Sequence, residues 1–262
     1  MSCELEKQKE LVKKLNIIDD TFFHKLVEDR GVCEEMLHTI LEDDTIEVIC
    51  SEPQKYLRNT QARSVILDVL CRDAAGRQMN IEVQKGDNGD HQRRVRYNGS
   101  NIDTFMTEKG LPFERIPDVY IIFISRFDIF GENRTAYHID RVIRETGTVV
   151  TNGFYEIYLN AEYDDGSKIA SLLQYMKNTQ GGNRTFPRIS ERVRYFKEEQ
   201  KGVREMCELI EQYAQERAEK VSREAAIELF YNGASYEMVR KSLKNLTKEE
   251  LDKIYEEICV HS

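Results

Sequence analysis

The chain has 262 residues, 40% hydrophobic and 32% charged, with a net charge of −9. That is an ordinary globular balance, long enough for one large or two small domains, and it excludes fibrous and disordered classes. The acidic total argues against a generic nucleic-acid coat, and the longest apolar run, Val119 to Ile124, is too short to cross a bilayer.

Charge is unevenly spread. Residues 1–60 hold 8 Lys/Arg against 14 Asp/Glu, residues 191–262 hold 13 against 16, and the middle is balanced at 17 against 17. An acidic total still admits a DNA-binding enzyme, because phosphate contacts need only a local cationic groove. The opening MSCELEKQKELVKKL has no apolar h-region. Six cysteines (Cys3, Cys33, Cys50, Cys71, Cys207, Cys259) form no CxxC pair, and five histidines form no HExxH, which disfavours zinc and a disulfide framework. A cytoplasmic protein with reduced thiols is expected.

In chain order, the first 45 residues read as helices. Phe22, Phe23, Leu26 and Val27, then Met36, Leu37, Ile40 and Leu41, recur at three-to-four spacing. Short β-type segments follow at Thr45–Ile49, Arg63–Arg72, Arg77–Lys85, Val119–Ser125 and Phe154–Asn160. Asp90 to Lys109 reads as a helix, capped by Asp90 and ended by Gly110 and Pro112. This alternation predicts a mixed α/β domain around one sheet. The polar stretch NTQGGNRTFP near Gln180 reads as a linker, so domains are expected at 1–180 and 190–262. Beyond it, Ser190 to Val221 reads as a charged helix with Val193, Phe196, Val203, Cys207 and Ile210 as its apolar stripe. Asn232-Gly233 breaks the pattern, Ser235 caps a short helix, and Thr247 with Glu250 forms a capping box.

Residues 64–85, SVILDVLCRDAAGRQMNIEVQK, carry the chemistry. Asp73-Ala74-Ala75-Gly76-Arg77 suits a three-residue hairpin loop with Gly76 left-handed. Pairing Asp73 with Arg77 then places Asp68 across from Glu82. Alternation puts Ile66, Asp68 and Leu70 on one face with Asn80, Glu82 and Gln84, and Val65, Leu67, Val69 and Cys71 on the other with Ile81, Val83 and Lys85. Carboxylates facing each other at roughly 5 Å between β-carbons repel unless a cation or proton lies between them. Magnesium, held by one or two carboxylates, water and substrate phosphate, resolves the conflict. On spacing alone, a solvated acidic pair on an exposed sheet face is the simpler account.

The segments IIDDTFFHKL, LDVLCRD, MNIEVQ, HQRRVRYNGS, PDVYIIFISRFDIF and NGFYEIYLN, in that order, resemble the PD-(D/E)XK nuclease superfamily. The likeness is to its transposase-associated, recombination-promoting branch, over about Ile17 to Gln180. It implies a restriction-endonuclease-like core, a mixed central sheet flanked by helices, here followed by a C-terminal helical tail. Asp68 and Glu82 match the family's metal-binding acids, Gln84 the water-orienting position where the superfamily usually has lysine, and Asp20 an acid on the first helix. The Val83 carbonyl is a further implied metal ligand. Arg93 and Tyr97 match the arginine and tyrosine after ExQ and are the implied DNA contacts. The family often has a second aromatic beside that tyrosine; this chain has Arg96 and Asn98.

The resemblance implies phosphodiester hydrolysis of DNA with Mg²⁺ or Mn²⁺ and no nucleotide cofactor, by a chain that a homodimer would suit. The competing reading is a catalytically inert nuclease-fold module that binds DNA or a protein. For Arg93 the bland alternative is an ion pair with Asp90, and for Tyr97 core packing. His91 and His138 read as ordinary exposed histidines.

Overall fold

The computed structural model describes residues 2–59, 63–87, 89–107, 110 and 112–259. Helices α1 (Ser2–Lys13), α2 (Asp20–Leu26) and α3 (Arg30–Ile40) open the chain. Strands β1 (Val48–Leu57), β2 (Val65–Asp73) and β3 (Gln78–Gln84) follow, then α4 (His91–Met106), β4 (Val119–Ser125), β5 (Ala136–Ile139), β6 (Phe154–Asn160) and α5 (Lys168–Lys177). One sheet results, in the order β1-β2-β3-β4-β6-β5. Strands β3, β4 and β6 are parallel and the remaining neighbours antiparallel, so the expected mixed sheet flanked by helices is present.

Strand β1 starts and ends later than the Thr45–Ile49 segment expected, and β5 has no counterpart among the expected strands. Asp90 precedes α4 but does not cap it: its backbone is left-handed (φ 53°) and its side chain accepts no cap hydrogen bond. Lys109, the expected helix end, lies outside the described residues.

Central strands β3 and β4 are buried nearly end to end, which explains the almost unbroken apolar run VYIIFI. On one face Leu70, Ile121 and Phe123 pack with Val95 and Ile102 of α4. On the other, the Cys71 thiol meets Cys33 of α3. Helices α5 and α6 (Pro187–Glu198) pack on α3. The Glu35 carboxylate of α3 accepts the N–H groups of Arg188 (3.3 Å) and Ile189 (2.8 Å), capping the start of α6. The stretch read as a linker is tied down: Thr179 N–H donates to Asn16 Oδ1 at 2.9 Å, and Asn183 N–H to Ser190 Oγ at 2.6 Å.

The single helix expected over Ser190–Val221 is two, because Glu199 is extended (ψ 135°) between α6 and α7 (Gln200–Tyr231). Gly202 lets them meet: a Cβ there would stand 2.2 Å from the Tyr195 carbonyl oxygen. Since backbone gives little, Gly202→Ala is expected to cost about 1–3 kcal/mol, despite alanine's better helix propensity. Urea unfolding of parent and variant checks this, and an unchanged midpoint would show that the corner opens freely.

The chain divides into two compact units, Met1–Met206 and Cys207–Ser262. The second has its own small core of Ala226, Phe230, Val239, Leu251 and Ile254, built from α7, α8 (Tyr236–Ser242) and α9 (Lys248–Cys259). Its expected signals are realised. Gly233 is left-handed after α7 (φ 82°), the Ser235 side chain accepts from Met238 N–H, and Thr247 and Glu250 bond reciprocally. No helix among the described residues is long and apolar enough to cross a membrane.

Candidate active site

The β2–β3 turn forms as its residues demand. Gly76 is left-handed (φ 86°), its N–H donates to Asp73 O at 3.0 Å, and Arg77 N–H donates to Asp73 Oδ1 at 2.8 Å. The ladder runs from Arg72↔Gln78 to Val69↔Ile81, the expected register. At the next step, where Asp68 would pair with Glu82, it stops. Glu82 Oε1 accepts from Asp68 N–H at 3.2 Å, and Asp68 Oδ2 accepts from Val83 N–H at 2.9 Å. Each carboxylate thus takes an N–H that a backbone carbonyl takes elsewhere in the ladder. Gln54, facing Asp68 from β1, is left-handed (φ 52°) and also leaves its ladder.

Ile66 is 58% exposed and lines one cleft with Asp68, Glu82 and Gln84, the face expected for it. Val65 and Leu67, expected on the face opposite Leu70, join the cluster that holds Leu70.

The acids sit in contrasting surroundings. Glu82 is 4% exposed, and Asn80 Nδ2 donates to its Oε1 at 3.0 Å. Burial, and then the charge of Asp68, push the Glu82 carboxyl up to about 8, against the opposing pull of Asn80 and Arg94. Asp20, at the start of α2, lines the same cleft, and burial and the Asp68 charge raise it too. His24 of α2 stands 3.3 Å from Asp68 Oδ1, with Gln54 Nε2 2.7 Å from its Nε2. Among the described residues, no three His, Cys, Asp or Glu side chains stand together as a formed metal cage.

Asp20, His24, Asp68 and Glu82 line a cleft of about 990 Å³ whose other wall is α4 and the loop before β2. Val83, Gln84, Arg93 and Tyr97 line it as well. Gln84 is held at both ends: Arg94 Nη2 donates to its Oε1 at 2.7 Å, and its Nε2 donates to Gly86 O at 2.7 Å. Arg93 pairs with Asp90 at 3.1 Å on the exposed side of the helix. Tyr97 donates to Arg63 O at 2.5 Å and packs against the buried cluster under α4. Lys85, expected on the opposite face, also lines the cleft and pairs with Asp19 Oδ1 at 2.5 Å, because β3 ends at Gln84 and the pleat no longer aims it.

His91 is buried, not exposed, bonded to Asp87 at 2.8 Å and packed between Phe123 and Phe127; His138 is exposed. Sequence reading placed Asn80 on the face of Glu82 without a role, and assigned none to His24 or Arg94. For His24 a signal existed, a lone imidazole inside the apolar run FFHKL. Arg94 beside Arg93 gave none, since only the tertiary fold shows which of two adjacent arginines turns to Gln84.

No curated protein matches the chain. A family model described as PD-(D/E)XK nuclease family transposase matches residues 22–228, a span that includes Asp68, Glu82 and Gln84 and begins just past Asp20. With that match over most of its length, the chain belongs to the PD-(D/E)XK nuclease family of transposases, and its helix-flanked mixed sheet is of the restriction-endonuclease-like kind.

Proposed function

We propose that this chain is a metal-dependent DNA endonuclease serving a mobile or recombining element. One observation carries the reading: each of two carboxylates accepts a backbone N–H from the other's strand where the central hairpin opens, at the floor of a cleft walled by arginines. PD-(D/E)XK nucleases typically use divalent metals. The residues here fit one, since a buried carboxyl beside a second acid needs a cation or a proton and the donors are hard oxygens.

Asp68, Glu82 and the Val83 carbonyl would hold Mg²⁺ or Mn²⁺, with Asp20 as a further oxygen donor. Such an ion, when bound, supplies Lewis acidity that acidifies water and offsets charge gathering on the phosphate. Gln84 orients the attacking water, and its neutral amide makes this a positioning role rather than proton transfer. Arg93 and Tyr97 face the DNA from α4. We assign this chemistry to residues 1–180, within the unit Met1–Met206, with 190–262 as a helical extension whose first helix, α6, packs back on that unit. A cytoplasmic homodimer would present two sites to the two strands of a duplex.

The inert-module reading draws on the neutral Gln84 and on the acidic net charge of −9. Nicking of supercoiled plasmid with Mg²⁺, and its loss on chelation, separates the two. A purified chain that cuts with neither Mg²⁺ nor Mn²⁺ supports the inert module.

Cation binding should also release a proton. The folded pKa of Glu82, about 8, lies above its ordinary 4.5, so without metal the folded state binds the extra proton between those values. The metal-free fold therefore loses stability as pH rises through that window, and a cation displaces the proton and binds more tightly at higher pH. Calorimetric Mg²⁺ titrations near neutral pH, in two buffers of different ionisation enthalpy, count the protons. Binding without proton release would remove Glu82 from the ligand set.

A further inference from the structure

We propose that Arg94 is a positioning residue of this active site, which locks the side-chain amide of Gln84 and brings the positive charge that Gln84 lacks. This rests on the nuclease reading above and goes beyond it by giving Arg94 a role.

The Gln84 amide is oriented from both ends, by the Arg94 guanidinium on its oxygen and the Gly86 carbonyl on its nitrogen, each at 2.7 Å. Turning it over would set an NH₂ against a guanidinium and a carbonyl against a carbonyl, so one orientation is strongly preferred. One N–H and one lone pair are left for a water or a phosphate oxygen.

Arg94 is itself held in place. Its guanidinium carbon lies 5.1 Å from the ring centroid of Phe123, which is fully buried and pairs with Glu82 in the β3–β4 register. The cation therefore rests on the residue next to Glu82, and its charge favours the ionised form of that acid. Arg93, one residue earlier and about 100° around the helix, points outward to Asp90. Adjacent arginines thus divide the work: Arg94 is turned to the strand that carries the acids, Arg93 to solvent and substrate.

A plain phosphate contact and a positioning role predict different kinetics. Full-length Arg94→Ala, Gln84→Ala and the double variant are assayed for plasmid nicking with Mg²⁺. Arg94 is exposed, so the fold should be retained. Each single change should lower kcat on the order of 10²-fold, with KM and the salt dependence of DNA binding as in the parent. The double variant should be no slower than Gln84→Ala, because both changes remove one shared interaction. Arg94→Lys should restore little, since an ammonium lacks the planar fork and the stacking surface.

A parent-like kcat in Arg94→Ala would overturn the proposal. So would a loss confined to KM with a shallower salt slope, or a double loss equal to the product of the single ones. A second readout needs no cleavage: in metal-free protein labelled with ¹⁵N-glutamine, Arg94→Ala should shift the Gln84 amide resonances and speed their hydrogen exchange. Unchanged resonances would overturn the lock. A parent that cuts no DNA while this shift is seen would defeat the nuclease reading and leave the Arg94–Gln84 lock standing.

Discussion

Glu82→Gln is expected to abolish DNA cleavage while leaving the protein as stable as the parent, or more so. Glutamine keeps a carbonyl oxygen where Glu82 Oε1 accepts from Asp68 N–H and Asn80 Nδ2, so the local hydrogen bonds survive. What disappears is a buried charge that burial and Asp68 both oppose. Folding should therefore gain, and the gain should grow as pH rises from about 4.5 to about 8 and level off above it, where the parent carries that charge in full. Cleavage, in contrast, should fall by on the order of 10³, since a neutral amide is a poor ligand for a hard cation. Asp68→Asn should show the same activity loss, and Gln84→Ala a smaller one. Plasmid nicking and thermal unfolding on the same preparations, at acidic and alkaline pH, test both halves. A Glu82→Gln protein that cuts at the parent rate places the chemistry elsewhere, and one that unfolds early makes Glu82 a structural residue.

The hairpin was legible because its signals are local. Asp73 and Gly76 specify the turn, the turn fixes the register, and the register brings Asp68 to Glu82. The carboxylate-to-backbone bonding at that point was not legible, since it forms where the ladder breaks and where Gln54 of another strand also leaves its pairing. Strand β1 was misplaced for a related reason. Its sequence VICSEPQKYL is polar and contains Pro53, which reads as a breaker, yet β1 is an edge strand, where proline is tolerated. β5 is four residues long and half exposed, too short for a period to show. The helical tail was readable from caps and apolar spacing, but the corner at Glu199 required knowing that Gly202 meets Tyr195. His91 sits between two phenylalanines more than thirty residues downstream, contacts that no local pattern encodes. Lys85 and Arg94 share that limit, since chain ends of strands and adjacent helix positions are aimed by tertiary packing.

Lys197→Ala is expected to destabilise the first unit by about 3 kcal/mol, seen as a fall in Tm of roughly 6–12 °C. Lys197 is 6% exposed, and its ammonium donates to Leu15 O (2.6 Å), Thr179 O (2.7 Å) and Lys13 O (3.2 Å). Those carbonyls belong to the end of α1 with the residues just after it and to the stretch just past α5, so one side chain on α6 ties together two parts of the chain far apart in sequence. The ammonium also lies 5.5 Å from the Phe22 ring centroid, beside the helix that carries Asp20 and His24. Burial holds its pKa down to about 8, below the ordinary 10.5. The unfolded chain therefore binds more protons than the folded one between those values, and the contribution of Lys197 to stability rises with pH across that window. In Lys197→Ala that rise should vanish along with the three hydrogen bonds. Lys197→Met separates packing from polarity, because it fills the space over Phe22 but leaves the carbonyls without a donor. It should recover part of the alanine loss and none of the pH dependence. A methionine variant as stable as the parent at neutral pH would show that the carbonyls find other donors. The ammonium would then be a tolerated burial, not the tie between these segments.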